Sequence, residues 1–258
     1  MGIVNLTPDS FFTGSRFQAE KEILIQVEKM LSDGADIIDL GPFSSQPNSD
    51  FITIEQEKDR LISPLKKIIQ EFPNAILSID TYRSKIAKRS VEEGAAIIND
   101  ISGGDLDEKM FETIAELQVP YILMHMKGTP KTMQLAPKYV DVFNEIYKSF
   151  STKLLRLNSV GANDVILDVG FGFGKTLEHN YTLLKKLPYF NSLQRPILAG
   201  ISRKGMIQNI IGSNAENALN GTTAAHVLAL QNGANILRVH DVKEAKEAIQ
   251  IVDFYQKQ

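Results

Sequence analysis

The sequence contains no cysteine in its 258 residues. Without thiols the chain has no disulfide, no thiolate nucleophile and no cysteine ligand for a metal, so a bound metal would have oxygen or imidazole ligands. An excess of positive charge is also missing, because the formal net charge at pH 7 is −3. This balance argues against nucleic acid or an anionic membrane as the main partner. Any anion site must therefore be local.

Long apolar runs are missing as well. Residues 1–8 have neither a basic flank nor a long apolar run, so the sequence predicts no signal peptide, no membrane span and a cytoplasmic location. What is present is a composition with 43% hydrophobic and 23% charged residues. This is the size and balance of one large globular domain, since single α/β barrels run to about 250 residues.

Short apolar runs alternate eight times with amphipathic stretches of helical length. Each apolar run is bounded by polar residues, which is typical of a buried parallel strand. The runs are 3–6, 36–40, 75–79, 96–98, 121–124, 165–167, 196–199 and 235–239. The amphipathic stretches lie around 20–32, 55–70, 84–93, 107–117, 140–160, 177–187, 215–232 and 242–255.

Glycines separate several predicted helices from the strands that follow. Gly34, Gly94, Gly161 and Gly233 stand where a glycine commonly ends a helix. Eight such units, with no low-complexity linker between them, predict an α/β fold of the (βα)8 TIM-barrel type, as a single domain over residues 1–258. A doubly wound open sheet is the alternative, and the lack of a dinucleotide-binding fingerprint argues against it.

Polar residues follow every predicted strand. In a TIM barrel the active site lies at the C-terminal ends of the strands, so these residues should meet at one rim. Together they supply carboxylates, amides and cations, enough to bind a polar ring and an anion at once. They are Asn5, Asp39, Asp80, Asn99, Asp100, His125, Asp168, Ser202, Arg203, Lys204, Arg238, His240 and Asp241.

One glycine-rich segment invites a phosphate-loop interpretation. Residues 168–176 read Asp-Val-Gly-Phe-Gly-Phe-Gly-Lys-Thr and precede a predicted helix. A Walker A loop has four residues between its first glycine and its Gly-Lys pair, whereas Gly170 leaves only three. The third glycine of a Rossmann fingerprint is absent too. Neither a P-loop nucleotidase nor a dinucleotide enzyme is predicted.

Seven ordered motifs resemble those of dihydropteroate synthases, and the resemblance covers essentially the whole chain. Residues 1–11 look like the first signature of that family, and residues 168–175 are similar to its D-x-G-F-G-F-G-K loop. The other matches are Ser-Ile-Asp-Thr at 78–81, Ile-Ile-Asn-Asp at 97–100, Met-His-Met-Lys-Gly at 124–128, Ser-Arg-Lys at 202–204 and Arg-Val-His-Asp at 238–241.

The resemblance implies a transferase of folate biosynthesis. Such an enzyme condenses 6-hydroxymethyl-7,8-dihydropterin diphosphate with 4-aminobenzoate, giving 7,8-dihydropteroate and diphosphate. The resemblance further implies Mg2+ as cofactor, small-molecule substrates as partners, a homodimer formed through the late helices, and sensitivity to sulfonamides. Diphosphate would leave first, and the arylamine would then attack the resonance-stabilised pterin cation.

The resemblance also assigns roles to individual strand-end residues. The pterin ring would be bound by Asp80, Asn99, Asp168, Lys204 and Arg238, of which Asp80, Lys204 and Arg238 are expected to be catalytic. The diphosphate would be bound by Asn5, Ser45, Arg238 and His240, with Asn5 also next to the metal. The 4-aminobenzoate would be bound by Phe173, Ser202, Lys204 and Gly205. For Asp80 and Asp168 the alternative is helix capping or an internal salt bridge.

Three positions depart from the family pattern. Thr13 and Gln46 replace an aspartate and an arginine in the first two loops, and Gly205 replaces a side chain that is often serine. We expect altered loop closure, an intact deep pterin pocket and weaker binding of sulfonamides. Two alternatives follow: a catalytically weak pterin-binding paralogue, and a corrinoid-dependent pterin methyltransferase domain.

Overall fold

Eight parallel strands form one sheet in the order of the chain. The computed structural model describes residues 1–6, 16–42, 52–128 and 137–258, without the side chains of residues 16–19. The strands are β1 (Gly2–Asn5), β2 (Ile37–Gly41), β3 (Ile76–Asp80), β4 (Ile97–Asp100), β5 (Tyr121–Met124), β6 (Val165–Asp168), β7 (Ile197–Ala199) and β8 (Ile236–Leu237). All eight predicted strands are confirmed, with small shifts at their ends.

Helices connect successive strands. They are α1 (Arg16–Ser32), α2 (Ile54–Glu71), α3 (Ser84–Glu92), α4 (Met110–Leu117), α5 (Val142–Ser159), α6 (Leu177–Lys186), α7 (Gly205–Ile211), α8 (Leu219–Gln231) and α9 (Val242–Gln256), with a 3-10 helix at Leu187–Leu193. The eight predicted helices are present, and α7 is an additional one between β7 and α8. None of the described helices is long and apolar enough to cross a membrane.

The two ends of the sheet meet. Gly2 forms a parallel bridge with Val239, just beyond β8. The Ile3 N–H donates to Val239 O and the Val239 N–H donates to Met1 O, each at 2.9 Å. The strands therefore curl into a barrel-like sheet, which agrees with the predicted α/β architecture.

Side chains on the two faces of the sheet have different surroundings. One face packs against the helices through a large core that includes Val4, Ile38 and Leu123. Near the start of the strands, the other face carries a separate apolar cluster made of Met1, Ile97, Ile122, Ile166 and Leu198. Because alternate residues share a face, Asn99 and Asp168 lie on the same face as this cluster, two residues further along β4 and β6. The apolar cluster thus underlies a polar layer at the C-terminal ends of the strands.

The glycines predicted to end helices have the expected backbone. Gly34 and Gly94 have φ values of +95° and +111°, in a region that residues with a Cβ rarely adopt. At Gly94 an added Cβ would also lie 2.9 Å from Ile69 Cδ1. The sharp change from helix to strand therefore depends on glycine at this position.

Candidate active site

Arg238 joins two buried carboxylates at the mouth of the barrel. Its Nε donates to Asp39 Oδ2 at 2.7 Å and its Nη2 donates to Asp80 Oδ2 at 3.0 Å. Register places these carboxylates on neighbouring strands, because Asp39 pairs with Ser78, two residues before Asp80. The alternative expected for Asp80, an internal salt bridge, is therefore present in the structure.

Burial makes the Asp80 carboxylate unusual. Its side chain is 2% exposed, and Oδ1 has no hydrogen-bond partner among the described residues. The pKa of Asp80 is raised to about 8. Burial is the main cause, Arg238 opposes the shift, and the charge of Asp39 adds to it. The Arg238 guanidinium thus contacts both carboxylates, and Oδ1 of Asp80 is available to a ligand.

Asn99 lies beside the same pair of carboxylates. Its Nδ2 donates to Asp39 Oδ2 at 3.1 Å, and Ser78 Oγ donates to Asp39 Oδ1 at 2.6 Å. Asp39 has no exposed surface. The sequence placed Asp39 at a strand end without a binding role, whereas the structure makes it the common acceptor of three side chains.

Asp168 and Lys204 form a second polar group in the mouth. The Gly170 N–H donates to Asp168 Oδ1 at 2.8 Å, and Lys204 Nζ donates to Phe171 O at 2.6 Å. Burial raises the pKa of Asp168 although Lys204 opposes the shift, and burial lowers the pKa of Lys204 to about 8. Lys204 Nζ also lies 4.8 Å from the centre of the Phe173 ring.

Gly200 keeps a space between these two charges, a feature that the sequence did not reveal. A Cβ added at Gly200 would lie 3.8 Å from both Asp168 Oδ2 and Lys204 Nζ. The lack of a Cβ at Gly200 therefore leaves the sides of the carboxylate and the ammonium that face this position uncovered by a side chain of β7.

Lys175 belongs to the glycine-rich motif without a predicted role, and it is a buried cation. It is 4% exposed. Its Nζ donates to His125 O at 3.1 Å and to Phe173 O at 2.9 Å, and lies 3.2 Å from His125 Nδ1. Burial lowers the pKa of Lys175 to about 7. Lys175 therefore ties the loop after β5 to the loop after β6 and fixes the backbone that carries Phe173.

Gly170 is the position in this loop where an added side chain would be most destabilising. Its φ is +69°, and an added Cβ would lie 2.0 Å from His125 O. We expect Gly170→Ala to lower the free energy of unfolding by on the order of 3 kcal/mol or more, because backbone on both sides must shift. Gly161→Ala is the matched control: φ is +89° and, within the part of the chain that the structure describes, nothing lies within 4 Å of the added Cβ. Urea unfolding measures both variants, and equal losses would contradict the steric argument.

Ser202 and His240 form a pair at the rim. The His240 N–H donates to Ser202 Oγ at 3.2 Å, and Oγ lies 3.0 Å from His240 Nδ1. The Ser202 hydroxyl can donate to Nδ1, and this arrangement leaves the ring hydrogen on Nε2. In that tautomer Nε2 can donate to an anion. His240 and Asn5 both line a cavity of about 220 Å3 beside α1.

Arg203 holds the turn before Lys204 in an uncommon conformation. Its φ is +54°, and its guanidinium makes two bonds to Asp241, at 2.7 and 2.8 Å, and two to the carbonyls of Ala215 and Glu216, both at 2.6 Å. These four bonds keep the backbone fixed where Lys204 enters the mouth. Arg203 therefore has a structural role.

The predicted site residues fall into three groups. Asp80, Asn99, Asp168, Lys204 and Arg238 meet in the mouth of the barrel, with Phe173 against Lys204. Asn5, Ser202 and His240 lie at the rim, and Gly205 begins α7 directly after Lys204. Ser45 lies outside the described residues, as do Thr13 and Gln46.

The oxygen ligands at the rim fit a magnesium ion that is bound mainly by phosphate groups of the substrate. No group of three or more acidic or histidine side chains able to hold a metal occurs within residues 1–6, 16–42, 52–128 and 137–258. Mg2+ is commonly held by one or two protein oxygens together with substrate phosphates and water. The exposed Asn5 side chain, on the rim cavity shared with His240, provides such an oxygen.

Comparisons with known proteins agree with this geometry. The family model for "Pterin binding enzyme" matches residues 1–240. The dihydropteroate synthase of Escherichia coli K12 is 41% identical, covering 98% of this chain and 90% of that protein. The structure of the Yersinia pestis dihydropteroate synthase with a sulfonamide drug complex has a TM-score of 0.93 and 37% identity, covering 100% of this chain and 94% of that one. The Xanthomonas albilineans enzyme with 4-aminobenzoic acid has a TM-score of 0.90 and 34% identity, covering 99% and 92%.

Proposed function

The chain belongs to the pterin-binding enzyme family, and from its similarity to dihydropteroate synthases we propose how its strand-end residues carry their reaction. The activity is that of a transferase in folate biosynthesis, which joins 6-hydroxymethyl-7,8-dihydropterin diphosphate to 4-aminobenzoate and releases diphosphate. The observation that carries the assignment of the site is the polar layer of Asp80, Asn99, Asp168, Lys204 and Arg238 in the barrel mouth.

The pterin ring binds in this layer. Asp168 Oδ1 already accepts the Gly170 N–H, so Oδ2 is left to accept from the N–H and amino groups along one edge of the ring. Lys204 donates to the ring oxygen across the space left by Gly200. Asn99 meets neighbouring ring nitrogens, and Arg238 covers one face of the ring.

Bond breaking at the pterin methylene is assisted by charge on both sides. The methylene C–O bond breaks, the electron pair leaves with the diphosphate, and Asp80 stabilises the positive charge that spreads over the pterin. The diphosphate binds Asn5, Ser45, Arg238 and His240. Asn5 would also hold Mg2+, which would supply positive charge next to the leaving group. The arylamine nitrogen then attacks the methylene and loses its proton to solvent.

The 4-aminobenzoate binds next to the pterin methylene. Phe173 provides an apolar surface, and its ring is already in contact with the Lys204 ammonium. Ser202, Lys204 and Gly205 line the carboxylate end, where the Lys204 charge favours an anion. Gly205 adds no side chain at this end, and among the described residues no atom lies within 4 Å of a Cβ added there.

The finer organisation of the molecule is part of the same proposal. We propose one (βα)8 barrel domain over residues 1–258, a cytoplasmic location and a homodimer through the late helices. Ile210 and Ile211 of α7 and Leu228 of α8 are apolar and exposed, with Ile210 61% exposed. An apolar patch of this kind favours contact with a second copy.

Product formation tests the function directly. With Mg2+ present, the purified chain should convert pterin diphosphate and 4-aminobenzoate to dihydropteroate, and chelation of Mg2+ should reduce the rate by about tenfold or more. Calorimetric titration with the pterin diphosphate alone separates binding from chemistry. Tight binding without product would favour the catalytically weak paralogue, and neither binding nor product would contradict the assignment.

A further inference from the structure

Asp39 lies below the other polar residues in the mouth of the barrel. It is fully buried below the polar layer, and it accepts hydrogen bonds from Arg238, Asn99 and Ser78. The three donors come from β3, from β4 and from the segment that follows β8. A single carboxylate on β2 therefore connects β3, β4 and the segment after β8, across both sides of its own strand.

We propose that Asp39 is a positioning residue, whose carboxylate orients both Arg238 and Asn99 for the pterin. This inference rests on the proposed roles of Arg238 and Asn99. Asp39 itself is covered by these side chains and does not touch substrate. It acts on the reaction only through the two residues that it holds.

The chemistry of the contacts explains how one carboxylate can orient two ligands. An ionised carboxylate only accepts hydrogen bonds, so the Asn99 amide must turn Nδ2 towards Asp39 and cannot place its oxygen there. The Asn99 oxygen is thereby available as an acceptor on the ligand side. For Arg238, the bond from Nε to Asp39 fixes the plane of the guanidinium, and Nη2 is then aimed at Asp80.

The charge of Asp39 also affects Asp80. Charged groups that act on Asp80 come from several elements around it: Arg238, Asp39, Asp100, Glu57 and Lys204. Arg238 lowers the pKa of Asp80 and Asp39 raises it. Loss of the Asp39 charge would therefore lower the pKa of Asp80 for two reasons. It would remove a repulsion, and the Arg238 guanidinium would then interact with Asp80 alone.

The first test is Asp39→Asn, which keeps the shape and removes the charge. Calorimetric titration with pterin diphosphate should show affinity weakened about 10- to 100-fold, the range expected when hydrogen bonds to a charged group are lost. The KM for 4-aminobenzoate should stay within about twofold, since the described hydrogen bonds of Asp39 go to Ser78, Asn99 and Arg238, none of which is assigned to that substrate. The acidic limb of kcat/KM for the pterin should move to lower pH, following Asp80.

A matched control separates positioning from stability. Asp100→Asn removes another fully buried carboxylate, which is bonded to Tyr121, Ser102 and Gly104 and not to Arg238 or Asn99. It should lower stability and leave the pterin affinity of the folded protein unchanged. If Asp39→Asn does not fold, Ser78→Ala replaces it, because it removes one restraint on Asp39 and keeps the charge; about threefold or more weaker pterin binding is then expected.

A double-mutant cycle decides the mechanism. Asn99→Ala should weaken pterin binding less in the Asp39→Asn background than in the parent protein, because an amide that is already misoriented contributes less to the pterin affinity. Unchanged pterin affinity in both Asp39→Asn and Ser78→Ala, or strict additivity in the cycle, would overturn the inference alone. Unchanged affinity in Asn99→Ala and Arg238→Lys would overturn the site assignment together with it.

Discussion

Asp168→Ala is expected to lower kcat/KM for the pterin substrate by about 10²- to 10⁴-fold. The carboxylate is 5% exposed and is proposed to accept two hydrogen bonds from one edge of the ring. Removing one partner of a buried charged interaction costs about 3–5 kcal/mol, which corresponds to this range. The pKa of Lys204 would fall as well, because Asp168 is the main group that raises it against the effect of burial. Steady-state kinetics with varied pterin diphosphate measures the loss.

The other end of the same strand supplies the control for this prediction. Asp164 lies just before β6 and its side chain is exposed, so Asp164→Ala should leave the kinetics unchanged. Asp168→Asn is informative too, because an amide keeps one acceptor and loses the charge. A loss of less than about tenfold in Asp168→Ala, with folding intact, would mean that the ring is bound elsewhere.

The architecture was readable from the sequence because parallel strands in a barrel are buried on both faces. Runs such as 165–167 are short, apolar and bounded by polar residues, here Asp164 and Asp168, a pattern typical of strands that are covered on both sides. Helix α7 was missed as a separate element because it has only 7 residues. Periodicity over so short a stretch is a weak signal. Its apolar residues Ile207, Ile210 and Ile211 do have helical spacing, and that spacing was the signal that could have revealed it.

The members of the site were predictable, and their connections were not. Strand ends and family motifs identified Asp80, Asn99 and Arg238, because each follows an apolar run. That Asp39 would accept from Arg238 depends on strand register and on the closing of the sheet, which connects residues 199 positions apart. No local pattern contains that information.

The buried Lys175 illustrates the same limit. Lysine is almost never fully buried unless it is paired, so a sequence interpretation places it in solvent. Lys175 is buried because the loop after β6 supplies a backbone carbonyl for it and the loop after β5 supplies another. The glycines that let these loops approach, Gly170 and Gly174, were visible in the sequence, and they were the only local sign of close packing.

Asp80→Asn is expected to separate function from stability. Asp80 and Asp39 share one guanidinium, so a single cation faces two negative charges whenever both carboxylates are ionised. The pKa of Asp80 is raised from 3.8 to about 8 by folding. Between these values the unfolded chain binds fewer protons than the folded one, so stability falls as pH rises from about 4 to about 8. An amide at this position removes that contribution, and its oxygen can still accept from Arg238.

The variant should therefore unfold at a higher temperature than the parent protein at pH 8, and the gap should narrow towards pH 5. Its turnover should drop about 100-fold or more, because the pterin cation loses its neighbouring anion. Asp100→Asn provides the contrast: that carboxylate accepts four hydrogen bonds, from Tyr121, Gly104 and twice from Ser102, so an amide there should destabilise the protein at both pH values. Thermal unfolding at pH 5 and pH 8 measures all three proteins. Equal stability of Asp80→Asn and the parent protein at pH 8 would mean that Arg238 already compensates both carboxylates. In that case folding would not raise the pKa of Asp80, and Asp80 would enter the reaction ionised.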